Sequence, residues 1–175
     1  MRYCCKCGSK TENKFIEGDT LKREICPKCN YINYINPKII VGVLPKKNNS
    51  LLLCKRDIEP GRNKWTFPSG FMEMDESLED GARREAIEEA NLRYKILKLY
   101  GTYSIPRIGQ VLFVYLGEIT NEDFYACDET QEVKLFEVDK IPWEDIAFPS
   151  VKFFIEKYVL DYNDDLNFKF HSNYA

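Results

Sequence analysis

The chain has 175 residues, of which 44% are hydrophobic and 30% are charged, and its formal net charge is −3. This length predicts one main domain with at most a small appendage. Because binding to a polyanion requires clustered Lys and Arg, the acidic balance excludes a general electrostatic attraction to nucleic acid or to an anionic membrane.

The N-terminal segment "MRYCCKCGSK" lacks the apolar core of a signal peptide, and no apolar run in the sequence is long enough to cross a bilayer. We therefore expect a cytoplasmic protein without a membrane-spanning segment. Disulfides are rare in that compartment, so the seven cysteines require another explanation.

Two Cys-x2-Cys pairs stand near the N-terminus, eighteen residues apart. They are Cys4 with Cys7 and Cys26 with Cys29. This spacing is typical of a structural zinc site with four thiolates, in which each pair occupies one tight turn. Gly8 and Asn30 follow the two pairs, and both residue types tolerate the left-handed backbone that such turns often need. The pattern predicts a zinc ribbon over residues 1–35.

The alternative is that the four cysteines of the two pairs are unpaired thiols. Cys5 competes with Cys4 as a ligand, but a single residue between it and Cys7 fits the turn poorly. Cys54 ends the apolar run "SLLLC" and Cys127 lies in "YACDE", so we expect a core or loop thiol at each. The ribbon has seven Lys or Arg against four Asp or Glu. Zinc with four thiolates removes about two positive charges, which leaves a weak surface for nucleic acid.

The segment after Asn36 reads as strands followed by a helix. "NPKIIVGVLPKKNNSLLLCKR" predicts two strands around a polar turn, and "KWTFPSGFM" predicts a short strand that enters a Pro/Gly loop. The helix "LEDGARREAIEEA" has Ser77 as a candidate N-cap, with Asp80 three residues later. Asn91 is its candidate left-handed C-cap.

The second half of the chain predicts three further strands and a closing helix. The strand-like segments are "LRYKILKLYGTYS", "QVLFVYLGEIT" and "EVKLFEVDKIP", which are rich in β-branched and aromatic residues. The helix is expected to start near Pro149 and Ser150, and the polar residues 163–175 to form a frayed tail. Strands interleaved with two helices predict an α/β sandwich around a mixed sheet.

Three glutamates share one face of the first helix. Glu85, Glu88 and Glu89 stand at positions i, i+3 and i+4, where like charges repel one another. Mg²⁺ takes hard oxygen ligands, usually a few carboxylates together with substrate phosphates and water. The cluster is consistent with a metal-bound phosphate. The alternative is a solvated helix face that Arg83 and Arg84 balance.

Read from Gly70, the sequence has the pattern G-x5-E-x7-R-E-A-x-E-E-x-N-L. This pattern resembles the signature of the Nudix hydrolases, G-x5-E-x7-R-E-U-x-E-E-x-G-U, where U is a bulky apolar residue. The matching residues are Gly70, Glu76, Arg84, Glu85, Glu88, Glu89 and Leu92. Ala86 is smaller than most residues at its position, and Asn91 replaces the final glycine, but neither departure removes a candidate ligand.

The resemblance extends over roughly residues 1–160 and is to the Nudix subgroup with an N-terminal zinc ribbon, which contains ADP-ribose and FAD pyrophosphatases. It implies a Nudix α/β/α sandwich over residues 36–162, preceded by the ribbon at 1–35 and followed by the tail at 163–175. It also implies hydrolysis of a nucleoside diphosphate linked to a second group, with Mg²⁺ or Mn²⁺ as cofactor and zinc as a structural ion.

The resemblance gives the helix and its preceding loop the role of metal ligands. Glu85 and Glu89 would be the leading Mg²⁺ ligands, and the Gly70 carbonyl would be another. Glu88 would be a further ligand or a support for them. All four belong to the part of the chain that matches the signature.

The resemblance also implies roles for other charged residues, in an ion pair and as the general base. Glu76 and Arg84 would fix the loop against the helix through an ion pair. In this superfamily the general base often comes from a later loop, where "CDETQEVKLF" offers Glu129 and Glu132, and we favour Glu132. The alternative for Glu132 is a solvated loop carboxylate. His171, the single histidine, lies in the predicted tail and is not an expected base.

Five residues are candidates for substrate binding. Arg107 and Gln110 could contact phosphate or base, because Arg forms forked hydrogen bonds to phosphates. Phe67, Phe71 and Tyr103 could stack on an adenine or flavin ring. The alternative for each aromatic residue is a place in the core.

The expected function is Mg²⁺-dependent hydrolysis of the pyrophosphate bond of ADP-ribose or FAD, with release of AMP. One alternative is a hydrolase of noncanonical nucleoside triphosphates or of capped RNA ends. Another is a non-catalytic nucleotide- or nucleic-acid-binding module, against which the intact carboxylate set argues. The expected partners are a small dinucleotide and, where a second subunit helps to form the pocket, another copy of the chain as a homodimer.

Overall fold

The computed structural model describes residues 2–164 and 166–175, and the chain forms two compact units, Met1–Asn36 and Pro37–Ala175. The first unit contains a three-stranded antiparallel sheet of β1 (Glu12–Phe15), β2 (Lys22–Ile25) and β3 (Ile32–Asn33). Its buried described side chains are two cysteines and Glu24, so this unit has almost no apolar core of its own.

The second unit is built on an eight-stranded mixed sheet. Its strands are β4 (Lys38–Lys47), β5 (Ser50–Arg56), β6 (Trp65–Thr66), β7 (Ser69–Phe71), β8 (Tyr94–Ile105), β9 (Gln110–Ile119), β10 (Thr130–Glu137) and β11 (His171–Tyr174). The main order is β10-β5-β4-β9-β8-β11, with β6 beside β5 and β7 beside β4. The β4–β9 and β8–β11 pairs are parallel, and the other described pairs of this sheet are antiparallel.

Two helices cover opposite faces of this sheet, α1 (Leu78–Ala90) and α2 (Pro149–Asn163). Successive side chains of a strand point to opposite faces, and on β5 Leu51 packs in the cluster of α2 whereas Leu52 packs in the cluster of α1. The predicted sandwich around a mixed sheet is therefore confirmed. None of the described helices is long and apolar enough to span a bilayer.

The small residues of α1 explain its close packing on the sheet. Ala82, Ala86 and Ala90 are fully buried against side chains of the sheet. Gly81 lies against the sheet in the same way, since a Cβ atom there would approach Val41 Cγ2 to 2.9 Å. Ala86 stands where the signature has a bulky residue, and its small side chain fits this close contact between helix and sheet.

The C-terminal segment differs from the frayed tail that we predicted. β11 pairs in parallel with the second half of β8, and Gly101 allows this approach because a Cβ atom there would lie 2.0 Å from the His171 carbonyl oxygen. The buried Asp161 carboxylate accepts a hydrogen bond from the Tyr100 hydroxyl at 2.8 Å and lies 2.7 Å from His171 Nε2. These contacts hold β11 in place, and the polar composition of the segment did not predict them.

Candidate active site and zinc site

The four cysteines of the two pairs meet in the first unit. The Sγ atoms of Cys4, Cys7, Cys26 and Cys29 all lie within 4.8 Å of one another. The Cys4–Cys29 and Cys7–Cys26 sulfur distances are 3.7 and 3.5 Å. A tetrahedral zinc site with Zn–S bonds of about 2.3 Å has edges of about 3.8 Å, so the arrangement fits zinc.

The two cysteine turns have the same backbone construction. The amide of Gly8 donates to the Cys4 carbonyl, and the amide of Asn30 donates to the Cys26 carbonyl, both at 2.8 Å. Both donors have positive φ angles, 70° and 57°, as the sequence predicted. Cys5 is exposed and stands outside the cluster, which resolves the choice between Cys4 and Cys5.

The acidic helix α1 begins and ends at the predicted caps. The Ser77 hydroxyl accepts a hydrogen bond from the Asp80 amide at 3.1 Å and satisfies one free donor of the first turn. Asn91 ends the helix with a left-handed φ of 46°. Its side chain also donates to the Asp123 carbonyl at 3.0 Å, which attaches the following loop to the helix.

An ion pair joins the loop before α1 to the helix itself. Arg84 donates to both carboxylate oxygens of Glu76, at 3.0 and 2.9 Å, and to the carbonyl of Phe71 at 3.0 Å. The hydrogen bonds from Arg84, together with that from the Glu73 amide, lower the pKa of Glu76 to about 2. This geometry supports the positioning role that the resemblance implied for Glu76 and Arg84.

Of the three clustered glutamates on α1, Glu89 is buried and Glu85 is largely covered, whereas Glu88 is exposed. The side chains of Glu85 and Glu89 are 12% and 9% exposed, whereas that of Glu88 is 57% exposed. A Cβ atom on Gly70 would approach the Glu85 carboxylate to 2.3 Å, so only glycine lets this backbone lie beside the carboxylate. All four residues that the resemblance implied as metal ligands line the same cleft.

The buried carboxylates lack full charge compensation within the protein. Burial raises the pKa of Glu89 to about 8, and the charge of Glu85 adds to this rise. Burial also raises the pKa of Glu85, although Arg84 donates to it at 2.7 Å. Carboxylates with raised pKa values in a cleft are typical of sites that bind a cation or transfer protons.

This pKa shift predicts that the protein without divalent cation in the cleft loses stability as the pH rises. Between the ordinary glutamate value near 4.5 and the folded value of about 8, the folded state keeps a proton on Glu89 that the unfolded state has released. The free energy of unfolding should therefore fall by up to about 1.4 kcal/mol per pH unit across this range. Thermal melts from pH 5 to 8 without added divalent cations measure the slope. Glu89→Gln should flatten it, and an equal slope in this variant would contradict the assignment.

The carboxylates line a cleft of about 1720 Å³ in the second unit. Of the five predicted substrate residues, Phe71, Tyr103, Arg107 and Gln110 line this cleft. Phe71 is 46% exposed, and Lys38 Nζ lies 4.9 Å from its ring centroid. Tyr103 is only 5% exposed and packs against Phe153, so little of its ring is open to a ligand.

Phe67 does not belong to the cleft. Its side chain is fully buried in the core beside α2. The ring centroids of Phe67 and Phe154 are 6.2 Å apart, and the two rings meet edge-on. The prediction of a stacking role for Phe67 is corrected accordingly. Phe67 lies between β6 and β7, and composition alone did not indicate which face of the sheet its side chain takes.

Of the two glutamates considered as the base, Glu129 and not Glu132 lines the cleft, together with its neighbour Asp128. Glu132 lies on β10 opposite Lys55, points to solvent and does not line the cleft. Glu129 lines the cleft, and its charge contributes to the raised pKa values of Glu85 and Glu89. The irregular pairing between Thr130 and Glu132 separates the two residues, which an unbroken strand pattern did not predict.

The backbone of the loop before β10 is attached to the acidic helix. The amide of Tyr125 donates to the Ala90 carbonyl at 3.0 Å, and the amide of Cys127 donates to the Glu89 carbonyl at 3.2 Å. Glu129 has a positive φ of 66° at the end of this loop. The side chain of Glu129 is therefore presented from a loop that the helix C-terminus positions.

Arg56 was not among the residues predicted from the sequence. This residue ends β5 and lines the cleft, where its positive charge lowers the pKa of Glu89 against the effect of burial. Its Nε donates to the Pro60 carbonyl at 2.9 Å, and its guanidinium lies 5.2 Å from the ring centroid of Phe148. The available signal was an arginine directly after the apolar run "SLLLCK", where a buried strand reaches the end of the sheet.

Comparison with known proteins agrees with this geometry. The NUDIX domain family matches residues 36–156, and the Nudix N-terminal family matches residues 2–35. A Nudix hydrolase structure from Nitrosomonas europaea is 44% identical and superposes with a TM-score of 0.95, covering 100% of this chain and 99% of that one.

Two curated relatives differ in how much of their length is matched. An ADP-ribose pyrophosphatase from Methanocaldococcus jannaschii is 29% identical over 89% of this chain and 86% of its own. A protein from Haemophilus influenzae described as NAD-capped RNA hydrolase NudC is 32% identical over 73% of this chain, but the match spans only 49% of that protein. With the matched domains, the buried carboxylate pair and the glycine beside it, this chain belongs to the Nudix hydrolase family and carries that family's N-terminal ribbon.

Proposed function

We propose that the protein hydrolyses the pyrophosphate bond of a nucleoside diphosphate linked to a second group, with ADP-ribose as the first candidate and FAD as the second. The observation that carries this proposal is the convergence of Glu85, Glu89 and Gly70 in one large cleft. The similarity to the ADP-ribose pyrophosphatase of Methanocaldococcus jannaschii supports the substrate, because it extends over ribbon and main domain together.

The residues of the cleft fit Mg²⁺ or Mn²⁺. Glu85 and Glu89 offer hard carboxylate oxygens. Their raised pKa values indicate that the ionised carboxylates lack positive charge nearby, which a divalent cation would supply. The Gly70 carbonyl and Glu88 would complete the set on the protein side. A bound divalent cation would neutralise phosphoryl oxygens and lower the pKa of a coordinated water. In the ribbon, the four thiolates would hold a structural zinc.

The chain supplies groups for positioning and proton transfer. Glu129, which replaces Glu132 in our assignment, would accept the proton of the attacking water, since it lines the cleft and its charge acts on Glu85 and Glu89. Arg107 would contact phosphate through its forked donors, and Gln110 would contact phosphate or base. Phe71, which is half-exposed in the cleft, would stack on an adenine or flavin ring.

The size of the cleft supports a substrate with two bulky groups. Pockets for single small molecules are about 300–1,000 Å³, and this cleft exceeds that range. Four exposed apolar side chains line the cleft together with the carboxylates, namely Phe71, Ile87, Ile108 and Tyr125. They would contact the groups on either side of the pyrophosphate.

The substrate proposal predicts the products. With Mg²⁺, ADP-ribose should yield AMP and ribose 5-phosphate, and FAD should yield AMP and FMN. We expect a higher kcat/KM for one of these dinucleotides than for any nucleoside triphosphate or NAD-capped RNA in a common panel. Mass spectrometry identifies the products, and hydrolysis in oxygen-18 water shows which phosphorus is attacked. A triphosphate or capped RNA that outcompetes every dinucleotide would contradict the substrate but leave the family assignment intact.

The remaining expectations concern the setting of the reaction. We propose a cytoplasmic enzyme acting on a small molecule without a nucleic-acid partner, because the cluster of four thiolates suits a reducing compartment and the chain has a net negative charge. A homodimer is proposed where a second copy contributes to the pocket. Light scattering at working concentration measures that state.

A further inference from the structure

The first residues of β10 form a bulge at Gln131. The residues on either side of it, Thr130 and Glu132, are paired with two consecutive residues of β5, Arg56 and Lys55. Gln131 is therefore one extra residue between two paired ones. A bulge bends its strand and redirects a side chain, and bulges are frequent beside active sites. The position of this one raises the question of what the Gln131 side chain contacts.

The side chain of Gln131 reaches the loop between β5 and β6. Its Nε2 donates to Asp57 Oδ1 at 3.0 Å and to Asn63 Oδ1 at 2.8 Å. Asp57 directly follows β5, and Asn63 lies two residues before β6. One side-chain amide therefore joins the two ends of a loop whose residues Ile58 and Pro60 line the cleft.

The same loop holds the backbone of Glu129. The amide of Asp57 donates to the Glu129 carbonyl at 2.8 Å. Glu129 has a φ of 66°, a conformation that a residue other than glycine keeps only where its surroundings hold it. Hydrogen bonds from Gln131 and Arg62 lower the pKa of Asp57, so its carboxylate remains an ionised acceptor at neutral pH. A chain of hydrogen-bonded groups thus runs from Gln131 through Asp57 to Glu129.

We propose that Gln131 is a positioning residue for Glu129. Its two hydrogen bonds hold the β5–β6 loop beside β10, and the loop in turn fixes the Glu129 carbonyl through the Asp57 amide. The inference rests on the proposed function, in which Glu129 accepts the proton of the attacking water. Exposed hydrogen bonds of this kind add little to stability, whereas a displacement of about 1 Å can slow a reaction about 100-fold. Gln131 should therefore affect the rate much more than the fold.

The kinetic test compares Gln131→Ala, Glu129→Gln and the double variant, each in the full chain with Mg²⁺ and ADP-ribose. Gln131→Ala should lower kcat about 10-fold and change KM less than about 2-fold, because it displaces a proton acceptor rather than a group that binds the substrate. Glu129→Gln should lower kcat about 100-fold or more. The double variant should be no slower than Glu129→Gln, since Gln131 acts through the carboxylate that is already lost.

Asn167→Ala is the matched control. Asn167 is exposed, does not line the cleft, and donates from its side-chain amide to the Asp164 carboxylate at 3.4 Å. Its loss should leave kcat unchanged. Wild-type kcat in Gln131→Ala would overturn the positioning role. A double variant that is slower than Glu129→Gln by the full factor of Gln131→Ala would overturn it as well.

Hydrogen exchange of the Asp57 amide tests the link without any measurement of activity. This amide donates to the Glu129 carbonyl, and in Gln131→Ala it should exchange at least about 3-fold faster because the loop is less firmly held. Unchanged exchange would contradict the link. The proposed function fails separately, when the unaltered protein hydrolyses no dinucleotide. Faster exchange at Asp57 in such a protein would support the attachment of Glu129 and refute only the reaction.

Discussion

Replacing Glu89 with Gln is expected to lower kcat by more than about 100-fold at saturating Mg²⁺, because even residues that only support metal ligands are worth about 10- to 100-fold. The fold should persist, since the pKa of about 8 means that Glu89 is largely protonated at neutral pH when no cation is bound. Gln reproduces that neutral form in size and polarity. Steady-state kinetics with ADP-ribose and a thermal melt measure the two effects separately.

Glu85→Gln should behave in the same way, while Glu79→Gln serves as the control. Glu79 lies on the exposed side of the first turn of α1, does not line the cleft, and loses the same charge on substitution. Near-normal turnover by Glu85→Gln or Glu89→Gln would remove that residue from the proposed ligand set. A large loss in Glu79→Gln would instead indicate that total charge, rather than metal ligation, governs the rate.

Cys26→Ser is expected to unfold the ribbon and leave the main domain folded. The buried described side chains of the ribbon are Cys4, Cys26 and Glu24, so hydrophobic burial contributes little to its stability. Zinc bound to four thiolates contributes on the order of 10–16 kcal/mol, and loss of one ligand removes much of it. Metal analysis should find about one zinc per chain in the unaltered protein.

Limited proteolysis measures the fate of each unit in this experiment. The variant should be cleaved rapidly within residues 1–36, whereas residues 37–175 should remain resistant because they have extensive apolar clusters of their own. Cys5→Ser is the matched control, since Cys5 is exposed and outside the sulfur cluster. Zinc-free protein with an intact ribbon, prepared without chelators, would contradict the assignment.

Patterns that are local in sequence predicted the local parts of this molecule well. Each correctly predicted feature depends on residues within a few positions of one another. These features are the helix caps at Ser77 and Asn91, the left-handed residues Gly8 and Asn30, and the shared helix face of the glutamates. Hydrogen bonding and steric limits within one turn decide these features. The alternation of strand and helix segments likewise determined the sandwich.

The errors concern contacts between distant segments. Phe67 was misplaced because it lies between β6 and β7, where no strand alternation in the sequence indicates which face of the sheet a side chain takes. Glu129 and Glu132 were interchanged because the pairing of β10 with β5 is irregular between Thr130 and Glu132. Arg56 was missed because its surroundings include Phe148, which lies far along the chain.

The C-terminal strand has a consequence for the association of one molecule with another. β8 is twelve residues long and rich in apolar and aromatic residues, and without β11 it would be the edge of the sheet. Long exposed edges of this kind pair readily with strands of other chains and lead to aggregation. β11 covers the Gly101–Ser104 part of that edge with four polar or aromatic residues, His171–Tyr174. An edge that is short and polar offers little template for further pairing, so β11 protects this part of the sheet from association with other chains.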